Sequence, residues 1–214
     1  MNGLKKFKMI KAIIFDFDNV VISSIKQVLA YDKLIFKHFN IKFPKGKKQR
    51  LLYTLCEEDQ YPVFFSSINK KEFLEYKHSI DFRKYLKFIK ISKNTKTLFR
   101  FLKNNGYKIA IVTNRSDTTY QILDYFKIKG YFDVILTSEH MKKHKPDPYP
   151  INLAVKKLGL RKSEVLYVGD DKVDIEAGKK ARVDVIMYKN KFKGADYYIN
   201  SLKQIKKILG DLNV

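Results

Sequence analysis

The chain has 214 residues, 45% of them hydrophobic, enough to bury a substantial core with room for one inserted subdomain. Its single Cys56 excludes an internal disulfide framework, and no apolar run of about 18 residues exists to span a membrane. A formal charge of +22 invites a nucleic-acid reading, but only six of the 44 basic residues are arginine, and the lysines are spread over nearly every segment. Nucleic acid is therefore expected only as a non-specific partner, held through charge. The opening residues 1–9 are basic, yet a charged strand follows them, not the apolar stretch and small-residue cleavage site of a secretory leader; the expectation is a cytoplasmic protein, monomeric or homodimeric.

Residues 11–15 form a short, mostly apolar and partly β-branched run, the pattern of a strand buried on both faces of a parallel sheet. The run ends in Asp16 and Asp18, whose spacing in extended chain puts both carboxylates on one side. Two such groups at a strand end are costly unless solvated, paired or bound to metal. Residues 24–39 then carry Ile25, Val28, Leu29, Ile35, Phe36 and Phe39 at helical spacing, broken by Phe43-Pro44-Lys45-Gly46. Three further helical stretches follow, 49–55, 59–67 interrupted by Pro62, and 69–80, where Asn69 can cap with Glu72 three residues on. Residues 81–89 continue with Phe82, Tyr85, Leu86 and Ile89 on one face, so all of 20–93 reads as helical with no convincing strand.

From residue 94 the rhythm becomes alternating helix and strand. Helix 95–105 stops at Gly106, and strand 107–112 runs into Thr113-Asn114-Arg115-Ser116. Helix 117–126 and strand 132–136 come next, then a loop containing Lys145-Pro146-Asp147-Pro148. Helix 149–158 is closed by Gly159, strand 165–168 leads into Gly169-Asp170-Asp171, and helix 173–180, strands 183–188 and 197–199 and helix 202–209 complete the chain. The pattern predicts an α/β protein with a doubly wound, Rossmann-like parallel sheet formed by residues 1–19 and 94–214. Residues 20–93 are expected to form an inserted all-helical cap subdomain, too long for a plain connection and placed to act as a lid.

Ligands of open parallel sheets bind beyond the carboxyl ends of the strands. There the sequence places Asp16 and Asp18 after the first strand, Thr113 and Asn114 after the second, Lys145 after the third, and Asp170, Asp171 and Asp174 after the fourth. Carboxylates, a hydroxyl and an ammonium on one rim suit a hard divalent cation and an anionic substrate. Four motifs in this order, Phe15-Asp16-Phe17-Asp18, Ile111-Val112-Thr113-Asn114, Lys145-Pro146-Asp147-Pro148 and Val168-Gly169-Asp170-Asp171 with Asp174, resemble the haloacid dehalogenase-like hydrolase superfamily. Within it the chain is similar to the phosphoglycolate phosphatase-like branch with a helical cap, over about residues 11–209.

The resemblance implies a Mg²⁺-dependent phosphatase acting on a small phosphorylated metabolite. Asp16 would attack phosphorus and form an aspartyl phosphate, and Asp16, the backbone carbonyl of Asp18 and Asp170 would hold the ion. Thr113 would hydrogen-bond a phosphoryl oxygen, Asn114 would help bind substrate, and Lys145 would stabilise charge on Asp16 and the phosphoryl group. Asp18 would donate a proton to the leaving alkoxide and later take one from water. An acid at that position argues for phosphoryl transfer over dehalogenation, since halide leaves without a proton. Phosphomutase chemistry on the same fold, and a basic nucleic-acid binder on a hydrolase scaffold, are the alternatives.

Asp171 and Asp174 either support the metal or serve as helix N-terminal acids, and Arg115 and Ser116 either orient substrate or start a helix. The family usually has Gly where Asn19 stands, a position whose left-handed turn Asn tolerates. Lys45, Lys47, Lys48 and Arg50 form the densest basic cluster of the cap, a candidate site for a second anionic group on the substrate. His38, His78, His140 and His144 show no metal-ligand spacing.

Overall fold

A computed structural model describes residues 9–116 and 118–213; the basic stretch that opens the chain and the expected helix start at Asp117 lie outside the described residues. The strands are β1 (Ala12–Phe15), β2 (Ile22–Ser23), β3 (Lys90–Ile91), β4 (Lys108–Val112), β5 (Val134–Leu136), β6 (Val165–Gly169), β7 (Asp184–Tyr188) and β8 (Tyr197–Ile199). Six of them form one sheet in the order β5-β4-β1-β6-β7-β8, every neighbouring pair parallel. The apolar run at residues 11–15 thus becomes a central strand, with Ile13 registered between Ile109 and Leu166.

Side chains alternate between the two faces of each strand, and each face has its own helices. Ile13 and Phe15 pack with helices α5 (Thr95–Asn104), α6 (Thr118–Tyr125) and α9 (Ile205–Leu212), through Leu98, Phe99, Ile122, Leu123 and Ile205. Ala12 and Ile14 face the opposite way, toward α7 (Tyr149–Leu158) and α8 (Lys172–Ala181), through Ile151, Ala154 and Ala177. Each large apolar side chain so buried contributes about 1.5–3 kcal/mol relative to exposure. The doubly wound parallel sheet expected from the sequence is the fold observed.

Between β1 and β4 lie α1 (Ile25–His38), α2 (Gly46–Arg50), α3 (Glu57–Phe64) and α4 (Lys70–Ser79). Asn69 caps α4, its side-chain oxygen accepting from the backbone N–H of Lys71 and Glu72 at 2.9 and 3.4 Å. These helices gather around Phe36, whose ring meets Phe43, Phe64 and Phe65 at centroid distances of 5.1, 5.6 and 4.8 Å. This aromatic cluster takes all its members from residues 28–80 and none from the parallel sheet. Phe82, Leu86 and Ile89 instead share the cluster of the sheet, so the end of the insertion is packed onto the core.

Two details correct the sequence reading of residues 20–93. The segment contains strand after all, because β2 and β3 pair antiparallel, Ile22 opposite Ile91 and Ser23 opposite Lys90. This ribbon ties the two ends of the insertion together. Residues 82–88 are 3₁₀ and not α-helical, with Asp81 accepting from the backbone N–H of Arg83 at 3.1 Å. Among the described residues no helix is long and apolar enough to cross a membrane.

Candidate active site

The rim residues reach their places through the sheet. Asp16 leaves β1 with its backbone N–H donating to Val168 at 2.8 Å, and Thr113 leaves β4 with its N–H donating to Leu136 at 3.0 Å. Asn19 follows Asp18 with φ of 61°, so the tight turn after the first motif forms as Asn allows. Asn114 fixes the loop carrying Lys145 from both sides: its amide donates to the Lys145 carbonyl and its oxygen accepts from the Lys145 N–H, each at 3.1 Å.

Lys145 is the hub. Its Nζ donates to Asp16 Oδ1 at 2.6 Å, to Asp174 Oδ1 at 2.7 Å and to the Tyr167 hydroxyl at 3.0 Å, so all three ammonium protons are used. Tyr167 Oη in turn donates to Asp174 Oδ1 at 2.6 Å. The other Asp174 oxygen accepts from the backbone N–H of Asp170 and of Asp171, each at 3.0 Å. Four donors therefore saturate Asp174, which buttresses the loop and the lysine. Gly169 is required beside it, since a Cβ there would lie 2.3 Å from Asp174 Cβ.

Carboxylate oxygens of Asp16, Asp170 and Asp174 lie within 4.8 Å of one another. With Asp174 saturated, Asp16 and Asp170 remain to hold an ion. Burial pushes the Asp16 carboxyl up to about 7, against the opposing pull of Lys145 and with help from the charges of Asp174 and Asp18. Burial likewise raises Asp170 to about 9, reinforced by Asp16, Asp174 and Asp171. Two crowded carboxylates that resist ionisation together are the donor set a hard divalent cation relieves, and Mg²⁺, which keeps several waters, needs only one or two of them. The residues fit that ion.

Asp18 stands apart from this cluster. Arg115 Nε donates to its Oδ2 at 2.9 Å and Nη2 to its Oδ1 at 2.7 Å, and the Ser24 hydroxyl also donates to Oδ1. Burial alone would raise the Asp18 carboxyl, but the Arg115 charge and hydrogen bonds, with Ser24, hold it below the usual carboxylate value. Arg115 Nη2 also donates to Gln27 Oε1 on α1 at 3.0 Å. Asp171 caps α8, accepting from the Lys172 N–H at 2.6 Å, and pairs with Arg50 of α2 at 2.5 Å.

Asp16, Asp18, Thr113, Asn114, Lys145 and Asp170 line one cavity of about 480 Å³ whose far wall includes Ile25, Val28 and Leu52. The basic cluster expected to face it does not: Arg50 lines the cavity, while Lys45, Lys47 and Lys48 do not. Lys48 lies over the Phe64 ring instead, 5.6 Å from its centroid. Sequence reasoning also passed over Tyr167 and Gln27. Tyr167 reads as one more apolar strand residue, and no spacing rule links Gln27 to a residue 88 positions away.

A parallel sheet carrying this constellation at its carboxyl ends defines a hydrolase of the haloacid dehalogenase-like class. The model of that family, haloacid dehalogenase-like hydrolase, matches residues 13–188, and the chain belongs to it. Pyrophosphatase PpaX of Bacillus velezensis is 27% identical over 215 residues, covering 95% of this chain and 98% of that one. Phosphoglycolate phosphatase of Aquifex aeolicus is 28% identical over 180 residues, covering 80% and 81%. A crystal structure of a HAD-superfamily hydrolase, subfamily IA, variant 1, from Geobacter sulfurreducens superposes with a TM-score of 0.79 at 24% identity, over 93% of this chain and 99% of that one.

Proposed function

We propose that this chain is a Mg²⁺-dependent phosphatase that hydrolyses a small phosphomonoester, phosphoglycolate-like in size and charge, through an aspartyl phosphate. The observation that carries the reading is Asp16, buried at the end of the central strand, with Oδ1 held by Lys145 and its carboxylate gathered with that of Asp170. Asp16, the backbone carbonyl of Asp18 and Asp170 would hold the ion. Its chemistry there is to neutralise the repulsion between carboxylate and phosphoryl oxygens.

The protein groups divide the remaining work. A carboxylate oxygen of Asp16 forms the new bond to phosphorus while the bond to the ester oxygen breaks, and Asp18 supplies the proton that oxygen takes. Water then attacks the same phosphorus, giving its proton back to Asp18, and the bond to Asp16 breaks to release phosphate. Thr113 would hydrogen-bond a phosphoryl oxygen, the positive charge of Lys145 beside Asp16 would stabilise charge on the phosphoryl group without a hydrogen bond of its own, and residues 20–93 would cap the leaving group. The names of the relatives support a second substrate, inorganic pyrophosphate, whose leaving group is phosphate.

Asp16→Asn should abolish turnover, by at least about 10⁴-fold, because no other group is placed to attack. Asp18→Asn separates the two steps. With an aryl phosphate the leaving phenolate departs without an acid, so one phenolate per site should be released in a burst before turnover nearly stalls for want of the base. Slow linear release without trapped phosphoenzyme would remove Asp18 from that role. Folded protein inactive on aryl phosphates with every divalent ion would remove the phosphatase reading.

A further inference from the structure

Asp18 cannot reach a leaving group while Arg115 holds it. Both of its oxygens are taken by a two-pronged guanidinium pairing, and Ser24 adds a further donor. The base of the Arg115 side chain is itself fixed at the phosphate end, since its backbone N–H donates to Thr113 Oγ1 at 3.1 Å. Its tip points to the cap, where Nη2 donates to Gln27. Arg115 therefore spans the cavity between the place of the phosphoryl group and the place of the leaving portion.

The other cations of this region are otherwise engaged. Lys145 has spent its three protons on Asp16, Asp174 and Tyr167, Arg50 is paired with Asp171, Lys77 and Lys189 lie over the rings of Phe73 and Tyr188 at 5.9 and 4.8 Å, and Lys45, Lys47 and Lys48 do not line the cavity. A guanidinium matches carboxylate and phosphate alike through two parallel N–H donors, so a substrate anion offers Arg115 the same fork that Asp18 offers now. Exchanging one for the other preserves the hydrogen bonds. A neutral leaving group offers no such exchange.

We propose that Arg115 is the specificity-determining residue of this site: it trades Asp18 for an anionic group on the leaving portion of the substrate, and so frees Asp18 only when that group is present. The inference rests on the phosphatase reading above and deepens it, because it names the substrate class as phosphoryl compounds whose leaving portion carries a carboxylate or a second phosphate.

The test compares phosphoglycolate with its near-isosteric neutral amide, carbamoylmethyl phosphate, with pyrophosphate and p-nitrophenyl phosphate run in parallel. The wild-type enzyme should favour an anionic substrate over the amide by about ten- to hundredfold in kcat/KM, the worth of one charge-assisted pairing. Whichever of phosphoglycolate and pyrophosphate shows that preference identifies the anion that is read. Arg115→Met should erase the preference, chiefly by slowing the anionic substrate. A wild-type enzyme that treats both anions and the amide alike overturns the proposal without any variant, and so does an Arg115→Met enzyme that slows charged and neutral substrates by the same factor. Folded wild-type protein that turns over none of the four, p-nitrophenyl phosphate included, overturns the phosphatase reading instead.

Discussion

The rim of the sheet and the helical insertion above it are held by different physics. At the rim, Asp16, Thr113, Lys145 and Asp174 are 6%, 1%, 6% and 1% exposed, and their polar groups close on one another within the core. The insertion has an apolar centre of its own around Phe36, and two of its ion pairs with the rest of the chain have solvent-facing members. In the Arg50–Asp171 pair the side chains are 46% and 19% exposed, and His144 Nε2 stands 3.7 Å from a Glu58 carboxylate that is itself 83% exposed. A buried charge network is costly to break, whereas an exposed pair contributes little. Chemistry is thus rigidly placed, while the exposed pairs between the insertion and the rest of the chain can be exchanged at small cost.

The largest way to break this contrast is at its hub. Lys145→Met leaves Asp16 and Asp174 buried without their cation, and should lower stability by about 3–5 kcal/mol, or roughly 6–20 °C in Tm, besides abolishing activity. Thermal melts at neutral pH read this directly. A loss no larger than that of an exposed pair would mean that the rim is not the rigid half.

The metal-free protein sharpens the contrast through pH. Asp16 and Asp170 are raised from an ordinary 3.8 to about 7 and about 9, so the folded state takes up their protons more readily than the unfolded chain. The stability they contribute is full below the ordinary value and is lost as pH rises through those two values. Asp18 and Glu164 are shifted the opposite way, Glu164 to about 2 through its hydrogen bonds with Arg161 and Lys11, and theirs is lost only as pH falls into the acid range. Chelated protein should therefore melt at progressively lower temperature between about pH 5 and pH 9, and saturating Mg²⁺ should remove most of that decline. Parallel melting curves with and without the ion would show that these carboxylates do not bind it.

The smallest effect belongs to the helical insertion. Arg50→Ala removes a half-exposed partner of Asp171 and should cost under about 1 kcal/mol of stability. It should raise KM by about two- to fivefold with kcat unchanged, and the difference from wild type should shrink in high salt. A change in kcat comparable with that of a rim variant would place Arg50 on the chemical side of the division.

Legibility followed the same line. The six parallel strands and the rim residues Asp16, Thr113 and Asp170 could be read because a buried strand is an uninterrupted apolar run and its carboxyl end is the residue that follows, whereas Lys145, in a loop well past β5, was marked only by the motif it shares with Pro146 and Pro148. Helix α7 and strand β8 were readable to the residue, 149–158 and 197–199, since Gly159 and a short β-branched and aromatic run mark them locally. Strands β2 and β3 were not, because two residues are too few to show a period, and their pairing joins Ile22 to Ile91 across the whole insertion.

What the sequence determined by itself is therefore the order of elements, the parallel core and which residues stand at its rim, all of them consequences of local pattern and strand polarity. Tertiary structure alone decided which of those residues touch. The fork of Arg115 on Asp18 spans 97 positions, the Tyr167 hydroxyl joins Lys145 and Asp174 from within an apolar strand sequence, and the lysines beside Arg50 do not line the cavity that Arg50 lines. Hydrogen bonds of this kind depend on the direction of individual side chains in a packed interior, and one-dimensional spacing carries no information about direction once the chain has turned back on itself.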